Sequence, residues 1–352
     1  MSPLRYKRRQ ILRLLGLATG AAVFPSACRF GQSQDSQAPT ASSMPLSKNP
    51  TSNQVSRVAL LKTDDRASAV PKILDLLQPE DFSNKTVFIK PNYNTGDPAP
   101  AATDTDLLQG LITEVENTQP GKITIGDRSG MAKTREAMQQ KGVFELTAQR
   151  GLETVVFDEM PAEQWQYFDH EGTHWQQGFA IARPILEADA VINTCCLKTH
   201  RFGGHFTLSL KNSIGMVAKY VPGDSFNYMG DLHSSPHQRK MIAEVNAAYQ
   251  PDLVLLDGVE AFVNGGPANG QKVAPEIMIA GRDRVAVDIV GLAILRSFGT
   301  TETVSQGSIW TLEQIQRATE LGLGATEAEQ IELVTGDAAS QTFADQIRPL
   351  IT

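Results

Sequence analysis

Thr86-Val87-Phe88-Ile89-Lys90-Pro91-Asn92-Tyr93-Asn94 is an apolar run that stops on a lysine, a proline and two asparagines. Three other runs share this grammar. Lys122-Ile123-Thr124-Ile125 passes into Gly126-Asp127-Arg128-Ser129-Gly130, and Ala190-Val191-Ile192-Asn193-Thr194-Cys195-Cys196 into Leu197-Lys198-Thr199-His200. Leu253-Val254-Leu255-Leu256 passes into Asp257-Gly258. Continuous Val/Ile/Leu runs, as opposed to alternating ones, indicate strands covered on both faces.

Working outward, the same signal predicts strands over 58–63, 86–90, 122–126, 153–157, 190–196, 252–256, 276–280 and 331–335. Amphipathic stretches between them predict helices over 66–78, 103–116, 132–150 with a break at Gly142, 236–249, 283–297, 310–322 and 339–350. Strands alternating with helices specify an α/β fold, a mostly parallel sheet flanked by helices, with two lobes around a central cleft. Residues 200–235 are rich in Gly and Asn and carry no clear period, and long irregular segments of this kind are often functional. No internal repeat is present.

In an open parallel sheet the carboxyl ends of the strands face one crevice, where ligands bind. The residues that follow the strands are therefore the candidate catalytic or binding set: Lys90, Asn92, Asp127, Lys198, His200, Lys211, Asn212 and Asp257. Acids and asparagines at such positions also cap helices and shape turns. Lys90 and Lys198 have no such capping role. Lysines hold anions, and a desolvated lysine serves as acid, base or nucleophile. Asp127 or Asp257 supplies acid/base chemistry and His200 transfers protons in this reading.

Four of the six histidines fall in 200–237. His200, His205, His233 and His237, with Asp231, have spacings that ligands of a divalent metal use. His170 and His174 sit in a polar hairpin-like segment and are expected to be exposed. Asn264 to Gly270 lacks the Lys-Ser/Thr of a phosphate-binding loop and is read as a turn at the cleft rim.

Cys28, Cys195 and Cys196 are the only cysteines. They exclude a disulfide framework and an iron–sulfur or zinc site held by four cysteines of one chain. Adjacent cysteines in an apolar run read as buried small hydrophobes. A redox or electron-transfer role for the pair ranks last.

Residues 1–28 contain Arg5, Lys7, Arg8, Arg9 and Arg13 and no acid. Lys7-Arg8-Arg9-Gln10-Ile11-Leu12-Arg13 followed by a short Gly-diluted apolar stretch resembles a twin-arginine export signal, too short for a membrane span. The translocation machinery of that route is the implied partner, and the implied location is beyond the cytoplasmic membrane. Attachment to a membrane comes only through the signal or a lipid on Cys28. Residues 29–56, dominated by Ser, Gln, Thr, Pro and Asn, form a disordered linker, and 57–352 form the α/β domain. With the basic signal set aside, the body is more acidic than the net charge of −7 for all 352 residues. That excludes nonspecific nucleic-acid binding, which rests on phosphate neutralisation.

Several blocks resemble the family known as domain of unknown function 362. They are Val87 to Asn92, Gly126-Asp127 with Ser129-Gly130, Leu197 to His200 with Thr207, and Lys211-Asn212-Ser213-Ile214-Gly215. Further blocks are Pro251 to Gly258, Gly265-Gly266-Pro267 with Gly270, and Ala280 to Asp283 with Ala286-Val287-Asp288. The resemblance spans about 56–300. It implies no general activity, and the clustered cysteines of iron–sulfur members are missing here. The expected function is an enzyme for a small anionic substrate, with metal assistance as one version. The alternatives are a nonenzymatic anion- or metal-binding protein tethered at the envelope and a redox accessory.

Overall fold

The computed structural model describes residues 55–351 other than residue 80, so the expected export signal and most of the expected linker lie outside the described residues. Among the described residues the strands are β1 (Ser56–Lys62), β2 (Thr86–Lys90), β3 (Lys122–Asp127), β4 (Glu153–Val156), β5 (Trp165–Phe168) and β6 (Phe179–Ala182). They continue with β7 (Ala190–His200), β8 (His205–Thr207), β9 (Leu253–Gly265), β10 (Gly270–Val273), β11 (Ile277–Gly281) and β12 (Ile331–Val334). The helices are α1 (Arg66–Leu77), α2 (Thr105–Asn117), α3 (Thr134–Gln140), α4 (Val143–Arg150), α5 (Arg183–Leu186) and α6 (Ser209–Asn212). After them come α7 (Tyr228–Ser234), α8 (Gln238–Val245), α9 (Arg284–Ser297), α10 (Glu302–Ser305), α11 (Glu313–Glu320) and α12 (Ala338–Ile347).

The main sheet has the order β12-β1-β11-β9-β7-β2-β3-β4, with β8 paired to β7 and β10 to β9. Every neighbouring pair along that path is parallel except the two that involve β11, which runs against both β1 and β9. The chain moves outward through β2, β3 and β4 and then returns to the other side of β2 as β7. That reversal opens a crevice beyond the carboxyl ends of β2 and β7, where an open sheet accepts ligands.

Alternation along each strand sends successive side chains to opposite faces. Ala59, Val87, Ile89, Ile123, Ile192 and Leu255 enter a core shared with residues of α1, α2 and α4. Val58, Leu60, Leu197, Val254 and Leu256 face a second core filled from α9, α11 and α12. Beside it lies a third, aromatic core: Phe88 and Phe157 pack with Trp165, Phe168, Trp175 and Phe179 and with Met241 and Ile242 of α8. This last core belongs to a smaller layer made of the β5–β6 ribbon, α7 and α8. Residues of α7 and the start of α8 face the strand ends across the cavity described below, and the described body is one compact unit, not two lobes.

Two strands are longer than expected. β7 continues through Lys198 to His200, and β9 runs past Asp257 to Gly265, because each is extended by an antiparallel return, β8 or β10. Lys198 and His200 are thus strand residues, not residues of a loop. The predicted 132–150 helix does divide around Gly142, into α3 and α4. Asn264 to Gly270 forms the β9–β10 turn. His170 is exposed, but His174 is half-buried, with its Nδ1 2.6 Å from Oε1 of the fully buried Glu244.

Candidate functional site

Lys90, the last residue of β2, is buried, and its ammonium has nowhere to go but inward. Its Nζ lies 2.7 Å from Asp127 Oδ1 at the end of β3 and donates to Asn212 Oδ1 at 3.1 Å and to the Pro91 carbonyl at 2.8 Å. Asp127 Oδ2 accepts from the Tyr93 amide at 2.6 Å. Burial pushes the Lys90 ammonium below its ordinary range, and the Asp127 charge works against that shift. A buried charge tolerates such a place only with a partner and hydrogen bonds.

Lys198, on the adjacent strand β7, is equally buried and donates to Asn92 Oδ1 at 2.9 Å and to the Ala101 carbonyl at 2.5 Å. A lysine only donates, so Asn92 must turn its oxygen to Lys198 and its amide nitrogen to Asn212 Oδ1, 3.0 Å away. The Asn212 nitrogen then donates to Asn193 Oδ1 and, at 2.9 Å, to the Thr194 carbonyl. Asn212 therefore joins the two lysine sites into one network.

Asn212 and Lys211 sit on α6, a single turn whose amino end is gripped by a carboxylate. Asp288 of α9 accepts from the Ser209 and Leu210 amides at 2.8 and 3.1 Å. Burial raises the Asp288 carboxyl to about 7, opposed by those two amides.

Lys211 is different. Among the described residues its Nζ has no hydrogen-bond or ion-pair partner. It faces a cavity of about 680 Å³ lined by Lys90, Asn92, Asp127, Arg128, Lys198, His200, Lys211, Asn212 and His233, among others. Burial, with Lys198 and Arg128 adding like charge, pushes the Lys211 ammonium down to about 7. His200, at the end of β7, is buried with Nδ1 unpartnered, and burial together with Lys211 and Lys198 holds its imidazole well below the usual range. The two groups flank Gly204: a Cβ there would meet Lys211 Cε at 2.8 Å and His200 Nδ1 at 3.0 Å. At Gly215 it would meet Asp127 Oδ1 at 2.6 Å and Lys90 Nζ at 2.7 Å. Both glycines let backbone close over the charged groups, which a side chain would prevent.

Seven of the eight predicted site residues line this cavity. Asp257 does not. It is buried beyond the wall, paired with Arg66 Nε of α1 at 2.7 Å, and its Oδ1 accepts from the Val259 amide at 3.0 Å. The four-histidine metal set is likewise divided. His200 and His233 line the cavity, whereas His205 does not, and His237 packs against the His174 ring with centroids 4.6 Å apart. His233 Nδ1 is 2.7 Å from the Met229 carbonyl, and Asp231 accepts from the Gln176 amide at 3.0 Å. Among the described residues no three His, Cys, Asp or Glu side chains are arranged to hold a metal. Spacing along the chain placed these residues close in sequence, but the β7–β8 return and the turn into α8 send them to different walls.

Arg128 is the charged cavity residue that sequence reasoning passed over. It is fully buried, donates to the Ser129 and Ile214 carbonyls and approaches Met229 Sδ at 3.2 Å. Its place beside Asp127 in the strand-end block was the available signal. Cys195 and Cys196 are free and buried, and burial raises both thiols, the opposite of what a reactive thiolate requires.

The family described as "Domain of unknown function (DUF362)" matches residues 87–293, more than half of the chain and nearly all of the cavity wall. The chain belongs to that family. The thylakoid-associated protein sll1697 of Synechocystis sp. is 26% identical over 247 residues, 69% of this chain and 70% of that relative. Among solved structures, the lactate racemase apoprotein from Thermoanaerobacterium thermosaccharolyticum is 16% identical with a TM-score of 0.43, covering 69% of this chain and 58% of its own. A Thermotoga maritima protein is 11% identical with a TM-score of 0.42, covering 72% of this chain and 58% of its own. The chain thus spans less than two thirds of either structure, and these similarities assign it no chemistry.

Proposed function

We propose that this DUF362 protein is an enzyme that binds a small anion in the Lys/Asp/His-lined cavity and moves a proton on it. The observation that carries this reading is the charge balance of the wall. Lys90, Arg128, Lys198 and Lys211 face a single lining carboxylate, Asp127, and that carboxylate is already paired with Lys90. A half-buried ammonium with no partner among the described residues is completed by an anion. Lys211, held near 7, and the unpaired His200 are then the groups able to exchange a proton with the bound molecule. Lys90, Lys198, Asn92 and Asn212 position it. No step in this reading passes through a metal.

The same reading places the body beyond the cytoplasmic membrane, sent there by the twin-arginine segment and tethered by it or by a lipid on Cys28. The named association of the Synechocystis relative with thylakoids supports a membrane-proximal setting. Among the described residues no helix is long and apolar enough to cross a membrane.

The test is incubation with a panel of small organic anions, followed by mass spectrometry and deuterium incorporation from solvent. The expected result is a converted or deuterated member of the panel, with both signals lost in His200→Ala. Retention of anions with no exchange in the unaltered protein would instead identify a binding protein.

A further inference from the structure

Of the five large hydrophobic side chains exposed among the described residues, two belong to this one cavity. Met131 is 60% and Phe202 43% exposed, and both line it. Single exposed hydrophobics are ordinary on a protein surface. Two at the mouth of a polar pocket are a pattern with meaning.

Their placement follows from the sheet. Met131 lies four residues beyond the end of β3, and Phe202 two residues beyond the end of β7. These strands flank β2, which carries Lys90. β7 runs on past the level of Lys90 before it reaches Phe202, so the two side chains leave the sheet on opposite sides of the strand that carries the lysine. Phe202 is also held in place. Its ring meets His200 edge-on at 5.8 Å between centroids, and the Arg201 guanidinium lies 4.9 Å from its centre. Ile214 and Met229 add further apolar lining to the same cavity.

A cavity of about 680 Å³ is also far larger than a bare oxyanion needs. Pockets of roughly 300–1,000 Å³ take molecules of drug size, mostly through apolar contact with a few polar groups that fix orientation.

We propose that the ligand is an amphiphilic anion, its charged head on Lys211 and its alkyl or aryl portion between Phe202 and Met131. This rests on the reading of the cavity as an anion site and adds the apolar half of the ligand to it. The chemistry is shared by a soluble organic acid and by an anionic lipid, and a tethered protein has access to both.

The experiment is calorimetric titration of the full-length protein with acetate, butyrate, hexanoate and octanoate, each below its micelle-forming concentration. Octylamine serves as the control with the same tail and the opposite charge. Affinity is expected to rise about threefold to fourfold for each methylene that enters the rim, flattening once the tail leaves it. In the Phe202→Ser, Met131→Ser double variant the series is expected to become flat while acetate still binds. Both residues are exposed, so an unchanged melting temperature checks that this variant is folded. Acetate binding with no gain from chain length in the unaltered protein would overturn this proposal and leave the anion reading standing. Octylamine binding as tightly as octanoate would overturn it too. No binding of any carboxylate would overturn the anion reading itself. Phosphatidylglycerol vesicles complete the design: displacement of octanoate by them identifies a lipid source, and its failure beside tight octanoate binding identifies a soluble acid.

Discussion

Lys211 is the cavity lysine whose charge has no partner among the described residues, and its behaviour with pH follows from that. Its folded value near 7 lies below the ordinary lysine value of 10.5. Between those values the unfolded chain holds more protons at this position than the folded one, so in the empty protein this group adds stability as pH rises. Anion binding has the opposite sign, since it needs the ammonium. Sulfate affinity is therefore expected to be full near pH 6 and to fall as pH rises through about 7, by up to tenfold per unit. Lys90 offers a different test. Asp127→Asn would leave its buried ammonium without a counter-charge, at a cost of about 3–5 kcal/mol in urea denaturation. Lysines after apolar runs were legible because they have no capping role there. That Lys211 has no partner among the described residues, and that Asp257 pairs with Arg66, depend on long-range neighbours that no local pattern encodes.

At the scale of elements, α6 is one turn long and has little stability of its own. Asp288 supplies what the turn lacks. Asp288→Ala leaves the Ser209 and Leu210 amides buried and unpaired, a loss expected at about 1–3 kcal/mol for each group. It should also weaken sulfate binding, because Lys211 and Asn212 ride on that turn. Urea denaturation and sulfate titration of one variant read both effects. Asp288 itself titrates near 7 in the fold against 3.8 ordinarily, so the folded state holds the extra proton between those values. That group's contribution to stability accordingly falls as pH rises through the window. Of the eight strands read from sequence, the central ones were legible because both of their faces are buried and their apolar runs are continuous, while the edge strands β4 and β12 are only partly buried and were legible from their Val, Ile and Leu alone. β5, β6, β8 and β10 were not, since each has only three or four residues and pairs antiparallel with a neighbour. The two longest strands were cut short for different reasons: past Cys196 the outer half of β7 holds the site's Lys198 and His200, whereas β9 passes through Asp257-Gly258, a pair that reads as a strand end, and continues as Val259 to Val263.

For the whole molecule, a cationic cavity sits in a chain of net charge −7. Low-dielectric walls around charges of one sign focus their field into the opening, so anion association is expected to slow as ionic strength increases. The acidic exterior disfavours large polyanions, and the cavity admits small ones. The N-terminal segment bears on where that chemistry is done. Replacing Arg8 and Arg9 by Lys should hold the chain in the cytoplasm as an unprocessed precursor, which fractionation and intact-mass measurement would reveal. Export of the doubly substituted chain at the normal level would contradict the twin-arginine reading. The claim on which the rest depends is that Lys211 makes this cavity an anion site. Calorimetric titration with sulfate, whose charge does not change over the range, tests it at pH 6 and pH 8.5 in the unaltered protein and in Lys211→Ala. The account predicts binding at pH 6 that weakens at pH 8.5 and is reduced by about tenfold or more in the variant. Equal affinity in both proteins, or no binding in either at pH 6, would contradict it.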